Sequence, residues 1–213
     1  PEFKPSFKLA RTLEDLRALH CPEVNLCIWR RPPVRGLLAC VEEEIATRRI
    51  KRVLNTDPRR PEFDELLQDL PATHPARASF KLDLHTQVAL FARLFPCHEI
   101  QLKLETCTGS MCERFHIDRV PLRSICTYVG PGTEWLDDRT VDRSKLGPGS
   151  GGLPDEESGL LLPGAHIECI ERFDVGLMKG RTWPGQEGGG LVHRSPRTEA
   201  GAPPRVLFKI DAV

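Results

Sequence analysis

His116-Ile117-Asp118 and, far downstream, His193 are the residues of this chain whose types and spacing could do chemistry. Two imidazoles and a carboxylate in the order His-x-Asp…His make the donor set that grips one face of a divalent iron and leaves its other coordination positions open. In an extended strand alternate side chains share a face, so His116 and Asp118 point the same way, roughly 6–7 Å apart. The third donor must arrive on another strand. His193 lies in Gly-Gly-Gly-Leu-Val-His-Arg-Ser-Pro, where glycines permit close backbone approach and Ser195-Pro196 ends the segment. Arg205 follows at the head of an apolar run, where a cation could pair with an acidic co-substrate lying across the metal. A His-x-Asp alone is also what an ordinary polar strand presents; the combination carries the reading.

A second donor set competes for the same region. Cys107, Cys112 and His116, with Cys126 as a fourth ligand, could hold Zn2+ tetrahedrally, although the spacing is looser than the close cysteine pairs of structural zinc sites. The plainer reading of these thiols is buried, unpaired cysteines.

The elements that must position these residues are legible in part. The first hundred residues read as mainly helical. Thr12 with Asp15 opens a helix over 12–20 with a capping box. Apolar spacing at Leu37, Leu38, Val41 and Ile45 predicts a helix over 36–49, Pro61 starts another running to about residue 70, and 80–95 is the longest periodic stretch. A short strand is expected over 24–29. After Pro96 the texture changes to short strands, at 100–106, 112–120, 122–129, 166–171, 175–179, 190–193 and 205–210, separated by Gly- and Pro-rich turns. The polar stretch 137–159 reads as a long mobile loop, a lid over the site. The expected class is α+β: a helical N-terminal layer over residues 1–98 packed on a β-core over 99–213, together one compact unit.

Bulk composition narrows the function. Lys plus Arg and Asp plus Glu number 30 each in 213 residues, which lacks the basic excess of a nucleic-acid protein. No apolar run is long enough to span a membrane. Eight cysteines without a regular framework, in a chain that opens with no leader-like segment, read as reduced thiols, so a cytoplasmic location is expected.

The second half, about 100–211, resembles the double-stranded β-helix (jelly-roll, cupin-like) of the Fe(II)/2-oxoglutarate-dependent oxygenases, which carry His-x-Asp, a distal His and a later Arg or Lys. That resemblance implies His116, Asp118 and His193 as iron ligands and Arg205 as the anchor of the co-substrate's distal carboxylate. Lys209 is the reserve anchor, and Tyr128 or Arg123 would line the same pocket. The step from His193 to Arg205 is wide for the prolyl-hydroxylase-like pattern. Segments 25–31, 115–118, 126–136 and 192–196 further resemble a bacterial domain-of-unknown-function family, DUF1826. The implied activity is hydroxylation of an unidentified protein or metabolite using Fe(II), 2-oxoglutarate and dioxygen. The alternative is a non-catalytic zinc- or metal-binding protein of metal homeostasis on the same scaffold.

Overall fold

Alternation along the C-terminal strands builds one large sheet, and strands from the N-terminal part complete it. The computed structural model describes residues 6–34, 36, 37, 41–109, 111–199 and 201–213, so Leu38 and Cys40 lie outside the described residues. Strands are numbered in chain order: β1 (Phe7–Ala10), β2 (Leu26–Trp29), β3 (Lys51–Thr56), β4 (Ile100–Cys107), β5 (Leu122–Val129), β6 (Glu134–Leu136), β7 (Ile167–Cys169), β8 (Val175–Lys179), β9 (His193–Arg194) and β10 (Arg205–Ala212). The large sheet has the order β1-β2-β8-β5-β10-β4-β3, antiparallel except for the β1/β2 pair. A smaller sheet has the order β7-β6-β9.

The expectation of a mainly helical first hundred residues is corrected by β1 and β3, which, together with the strand expected over 24–29 and found as β2, share the large sheet with C-terminal strands. β1 and β3 are edge strands with alternate or successive residues exposed, so they lack the apolar signal of an interior strand. The helix over 12–20 forms as α1 (Leu13–Leu16), with the Thr12/Asp15 capping box, continued by a 3-10 turn. In the described part of 36–49, Leu37 is helical and Val41–Ile45 form a π-helical turn. Residues 61–70 form successive turns rather than a helix; their carbonyls at Leu67 and Leu70 accept from the Arg77 guanidinium, while Phe63, Leu66 and Leu67 are buried. The long helix α2 (Arg77–Leu94) is as expected, and no described helix is long and apolar enough to cross a membrane.

Each sheet face has its own apolar layer. Phe80, Leu84, Val88 and Phe91 of α2 pack on Leu104, Cys126, Tyr128 and Phe208 of the large sheet. The opposite face contributes Leu26, Ile28, Ile125, Met178 and Leu207 to a second cluster, closed by Trp135 of β6, Ile170 and Leu191. The two sheets therefore face each other across an apolar interior, a jelly-roll-like core. A third cluster, with Phe115, Ile117, Leu136 and Val192, seals the small sheet under the 137–161 segment.

α2 is locked to the sheet by a buried polar knot. The Asp83 carboxylate accepts from Arg31, Tyr128 Oη and Gln87, and Arg31 Nε donates to the Phe173 carbonyl at 2.6 Å. Removing one member of a buried ion pair strands the other. Asp83→Ala is therefore expected to cost about 3–5 kcal/mol of stability, read as a lower urea midpoint at an unchanged m-value.

Candidate metal centre

The His-x-Asp segment does not form the regular strand expected over 112–120. It touches the small sheet at one point, where His116 N donates to His193 O at 2.9 Å and His193 N donates back to His116 O at 3.0 Å. The reason lies in Asp155, whose carboxylate accepts from Phe115 N at 2.8 Å and from Arg114 Nε at 2.8 Å, taking the place of a strand partner. The 137–159 stretch expected as a mobile lid is a run of short 3-10 turns, Asp138–Thr140, Arg143–Lys145 and Gly147–Ser150, pinned through Asp155 to the metal-ligand segment.

A doubly hydrogen-bonded antiparallel pair puts both side chains on one side of the backbone. The His116 and His193 rings accordingly lie 4.6 Å apart, centre to centre. Asp118, two residues on, joins them. One donor atom from each of His116, Asp118 and His193 falls within 4.8 Å of the others, and this is the one such group of three metal-ligating side chains among the described residues.

Each ring is oriented by its own backbone. His116 Nδ1 lies 2.9 Å from the Arg114 carbonyl and His193 Nδ1 lies 3.1 Å from the Leu191 carbonyl. A carbonyl can only accept, so both rings carry their proton on Nδ1 and present the Nε2 lone pair. His193 Nε2 is 3.2 Å from Asp118 Oδ2, and His116 Nε2 is 3.8 Å from Oδ1. Asp118 Oδ1 accepts from Arg123 at 2.7 Å, whereas Oδ2 is buried without a hydrogen-bond partner. Two free nitrogen lone pairs and one free carboxylate oxygen thus converge, the donor set for a divalent transition metal.

The electrostatics keep these groups in their ligating states. Burial, then the neighbouring His193, pushes His116 below the usual imidazole range. Burial alone would raise the Asp118 carboxyl, but its contact with the His193 ring and the positive field of Arg123 outweigh it and hold the group well below the usual carboxylate range.

The end of β8 clamps both halves of the site. Arg181 N donates to Asp118 O at 2.8 Å, and Leu191 N donates to Lys179 O at 2.9 Å. A Cβ on Gly180 would meet Val120 O at 1.9 Å, and one on Gly190 (φ +99°) would meet Lys179 O at 2.8 Å. Only glycine lets the three backbones approach this closely.

The other expected site residues separate. Arg205, 1% exposed, shares the interior face of β10 with Leu207; Nε donates to the Pro131 carbonyl at 2.7 Å, while both terminal nitrogens are buried and unpartnered. Burial pushes its pKa below the ordinary guanidinium value. Lys209 is engaged, with Nζ 2.6 Å from Glu105. Arg123 lies at the site but is divided between Asp118 and Asp211. Tyr128 faces α2, where its hydroxyl meets Asp83 and Gln87, so it does not line this interior. The thiol set is not assembled. Cys126 is buried against Arg31 on the α2 side, its thiol pushed up to about 12 by burial; Cys107 lies in the inter-sheet cluster and Cys112 is exposed. Sequence reasoning missed Arg119 and Arg181, which line a recess of about 410 Å³ with His116, Asp118 and the 146–148 turn. Arg119 was visible as the neighbour of Asp118; Arg181 carries no local signal.

The family described as "Protein of unknown function (DUF1826)" matches residues 10–211. The chain belongs to the DUF1826 family. No curated protein matches it. Among solved structures, the DUF1826 chain is similar to the dioxygenase for auxin oxidation 1 of Arabidopsis thaliana in complex with 2-oxoglutarate, at 9% identity and TM-score 0.51, over 97% of this chain and 91% of that one. It is also similar to the Fe(II)/α-ketoglutarate-dependent dioxygenase TqaL, at 12% identity and TM-score 0.51, over 94% and 86%. At these identities the likeness is one of fold.

Loss of an outer partner of a metal ligand typically costs roughly 10–100-fold in affinity, and loss of a ligand should cost more. Asp118→Ala and His193→Ala are expected to abolish Mn(II) or Co(II) binding by calorimetry while retaining the far-ultraviolet circular dichroism of the parent. Cys107→Ser and Cys112→Ser should leave that binding unchanged.

Proposed function

We propose that this protein is a non-haem Fe(II)- and 2-oxoglutarate-dependent oxygenase. The observation that carries the reading is the convergence of two Nδ1-protonated imidazoles and the orphaned Asp118 Oδ2. His116 Nε2, His193 Nε2 and Asp118 Oδ2 would hold the metal. When bound, iron with 2-oxoglutarate and dioxygen supplies the oxidation of a substrate C–H bond to C–OH, with release of succinate and carbon dioxide.

The chain's own residues prepare that chemistry. Arg123 keeps Asp118 ionised and turns Oδ2 towards the imidazoles. Arg205 answers the question of the co-substrate. An unpaired buried guanidinium is costly, and a planar carboxylate satisfies its two terminal nitrogens together. Its Nε is fixed on Pro131 O, so the fork is pre-aimed. His193 pairs with Trp135 across β9 and β6, and Trp135 packs with Leu207 in the inter-sheet cluster. The distal imidazole and the guanidinium thus belong to one interior, whose apolar lining excludes water.

The test uses the full chain, stripped with chelator and reloaded with Fe(II) and ascorbate. We expect slow succinate formation from 2-oxoglutarate without added substrate, lost in His116→Ala and Asp118→Ala. A folded chain that retains zinc as purified and neither binds 2-oxoglutarate nor forms succinate overturns the reading in favour of metal handling without catalysis.

Arg205→Met separates a binding role from a structural one. A charge-assisted pair is worth about 1.5–3 kcal/mol, so 2-oxoglutarate affinity should fall roughly 10–100-fold. Thermal stability without co-substrate should hold or rise, because the variant removes an unpaired buried charge.

A further inference from the structure

The recess lined by His116 and Asp118 of the triad carries a charge pattern that points to its substrate. Arg119 and Arg181 both line it, both are exposed, and neither guanidinium has a carboxylate partner among the described residues. The other arginines around the site are engaged: Arg114 with Asp155, Arg123 with Asp118 and Asp211, Arg143 with Asp138, and Arg194 with Glu134 and Glu156. Asp118 is the one carboxylate lining the recess. The chain as a whole is neutral, so this local excess is no by-product of a basic protein.

Both cations are placed by the backbone that carries the ligand. Arg119 adjoins Asp118 in sequence. Arg181 follows Gly180, whose missing Cβ lets that backbone close on Val120, and Arg181 N donates to Asp118 O. The recess is completed by Leu146 and Pro148, an apolar wall. We propose that the site takes a small anionic substrate, its carboxylate or phosphate set against Arg119 and Arg181 and its apolar body against Leu146 and Pro148. Two unpaired guanidiniums match one anionic group. The volume of about 410 Å³ lies in the range of metabolite pockets. A polyanion would need a continuing basic track, and the neighbouring arginines are neutralised. The assignment rests on the metal reading for the chemistry done on the substrate, not for how it is held.

Phenylphosphate is the probe, with benzylamine and benzyl alcohol as its cationic and neutral counterparts. Each is titrated by calorimetry into the full chain, stripped of metal and, in parallel, loaded with Mn(II). We expect phenylphosphate to bind, more weakly at high salt, and benzylamine not to bind. The Arg119→Gln/Arg181→Gln double variant should lose about 10-fold in phenylphosphate affinity and retain Mn(II) binding. 2-Oxoglutarate should not displace phenylphosphate. Equal binding of the three probes, indifference to the double variant, or displacement by 2-oxoglutarate would overturn the proposal. So would tighter binding of an oligonucleotide through the same two arginines. If the parent binds no Mn(II) yet still holds phenylphosphate through these arginines, the metal reading falls and the anion site stands.

Discussion

Two hydrogen bonds between the backbones of His116 and His193 are the constraint on which the site depends. They join segments far apart in the chain, and their antiparallel pairing forces both rings to the same side. Without that exchange, His116 and Asp118 would be one polar dipeptide step on a loop. The exchange itself needs support from both sides. Asp155 holds the segment from Phe115 N, and the end of β8 holds it from Asp118 O. Gly180 and Gly190 matter for this reason: any side chain there would push β8 away from the two segments it clamps.

The interior between the sheets is not purely apolar, and its polar members divide into satisfied and unsatisfied ones. Arg123 bridges Asp118 and Asp211, Lys103 joins Asp211 at 2.9 Å, and Lys209 meets Glu105. Charges arranged in alternating sign offset much of their desolvation cost. The terminal nitrogens of Arg205, Asp118 Oδ2 and Trp135 Nε1 stand outside this compensation. A fold selected for stability alone would not leave a buried donor fork and a buried acceptor unmatched. On the proposed function, the co-substrate carboxylate would satisfy the Arg205 fork and the metal would satisfy Asp118 Oδ2.

Much of this was legible in the residues because the chemistry is local. The pattern His-x-Asp fixes its own face by alternation, and the glycines before His193 announce close approach. Strands such as 122–129 and 175–179 are buried on both faces and carry β-branched and apolar residues bounded by turn signals, so they read as strands. The departures have separate physical causes. β3, Lys-Arg-Val-Leu-Asn-Thr, is an edge strand whose exposed face erased the signal. The 112–120 stretch has the composition of a strand, but a side chain, Asp155, took the hydrogen bond that a neighbouring strand would have supplied. Tyr128 and Arg123 share the strand that follows His-x-Asp, yet the two lie on opposite faces of β5, and only Arg123 reaches Asp118. Pairings such as Lys209 with Glu105 depend on register between strands distant in sequence, which no local pattern encodes.

β10 gives the site its rigidity. At one end Asp211 grips Arg123 with both carboxylate oxygens, at 2.6 and 2.8 Å, and Arg123 in turn sets which oxygen of Asp118 is free. At the other end the same strand, on the same face, carries Arg205. The strand is interior to the sheet, paired with β4 along its whole length and with β5 along most of it. The separation between Arg123 and Arg205, the ends proposed to serve the metal and the co-substrate, is therefore set by an interior strand rather than by loops. Sites built on such elements hold their geometry better than sites built on loops. The arrangement also separates the cations: Arg205 and Arg123 are held in the interior, as the proposed roles at an invariant co-substrate and at a metal ligand require. Arg119 and Arg181 are exposed at the mouth, where a bound molecule can approach from solvent and leave again.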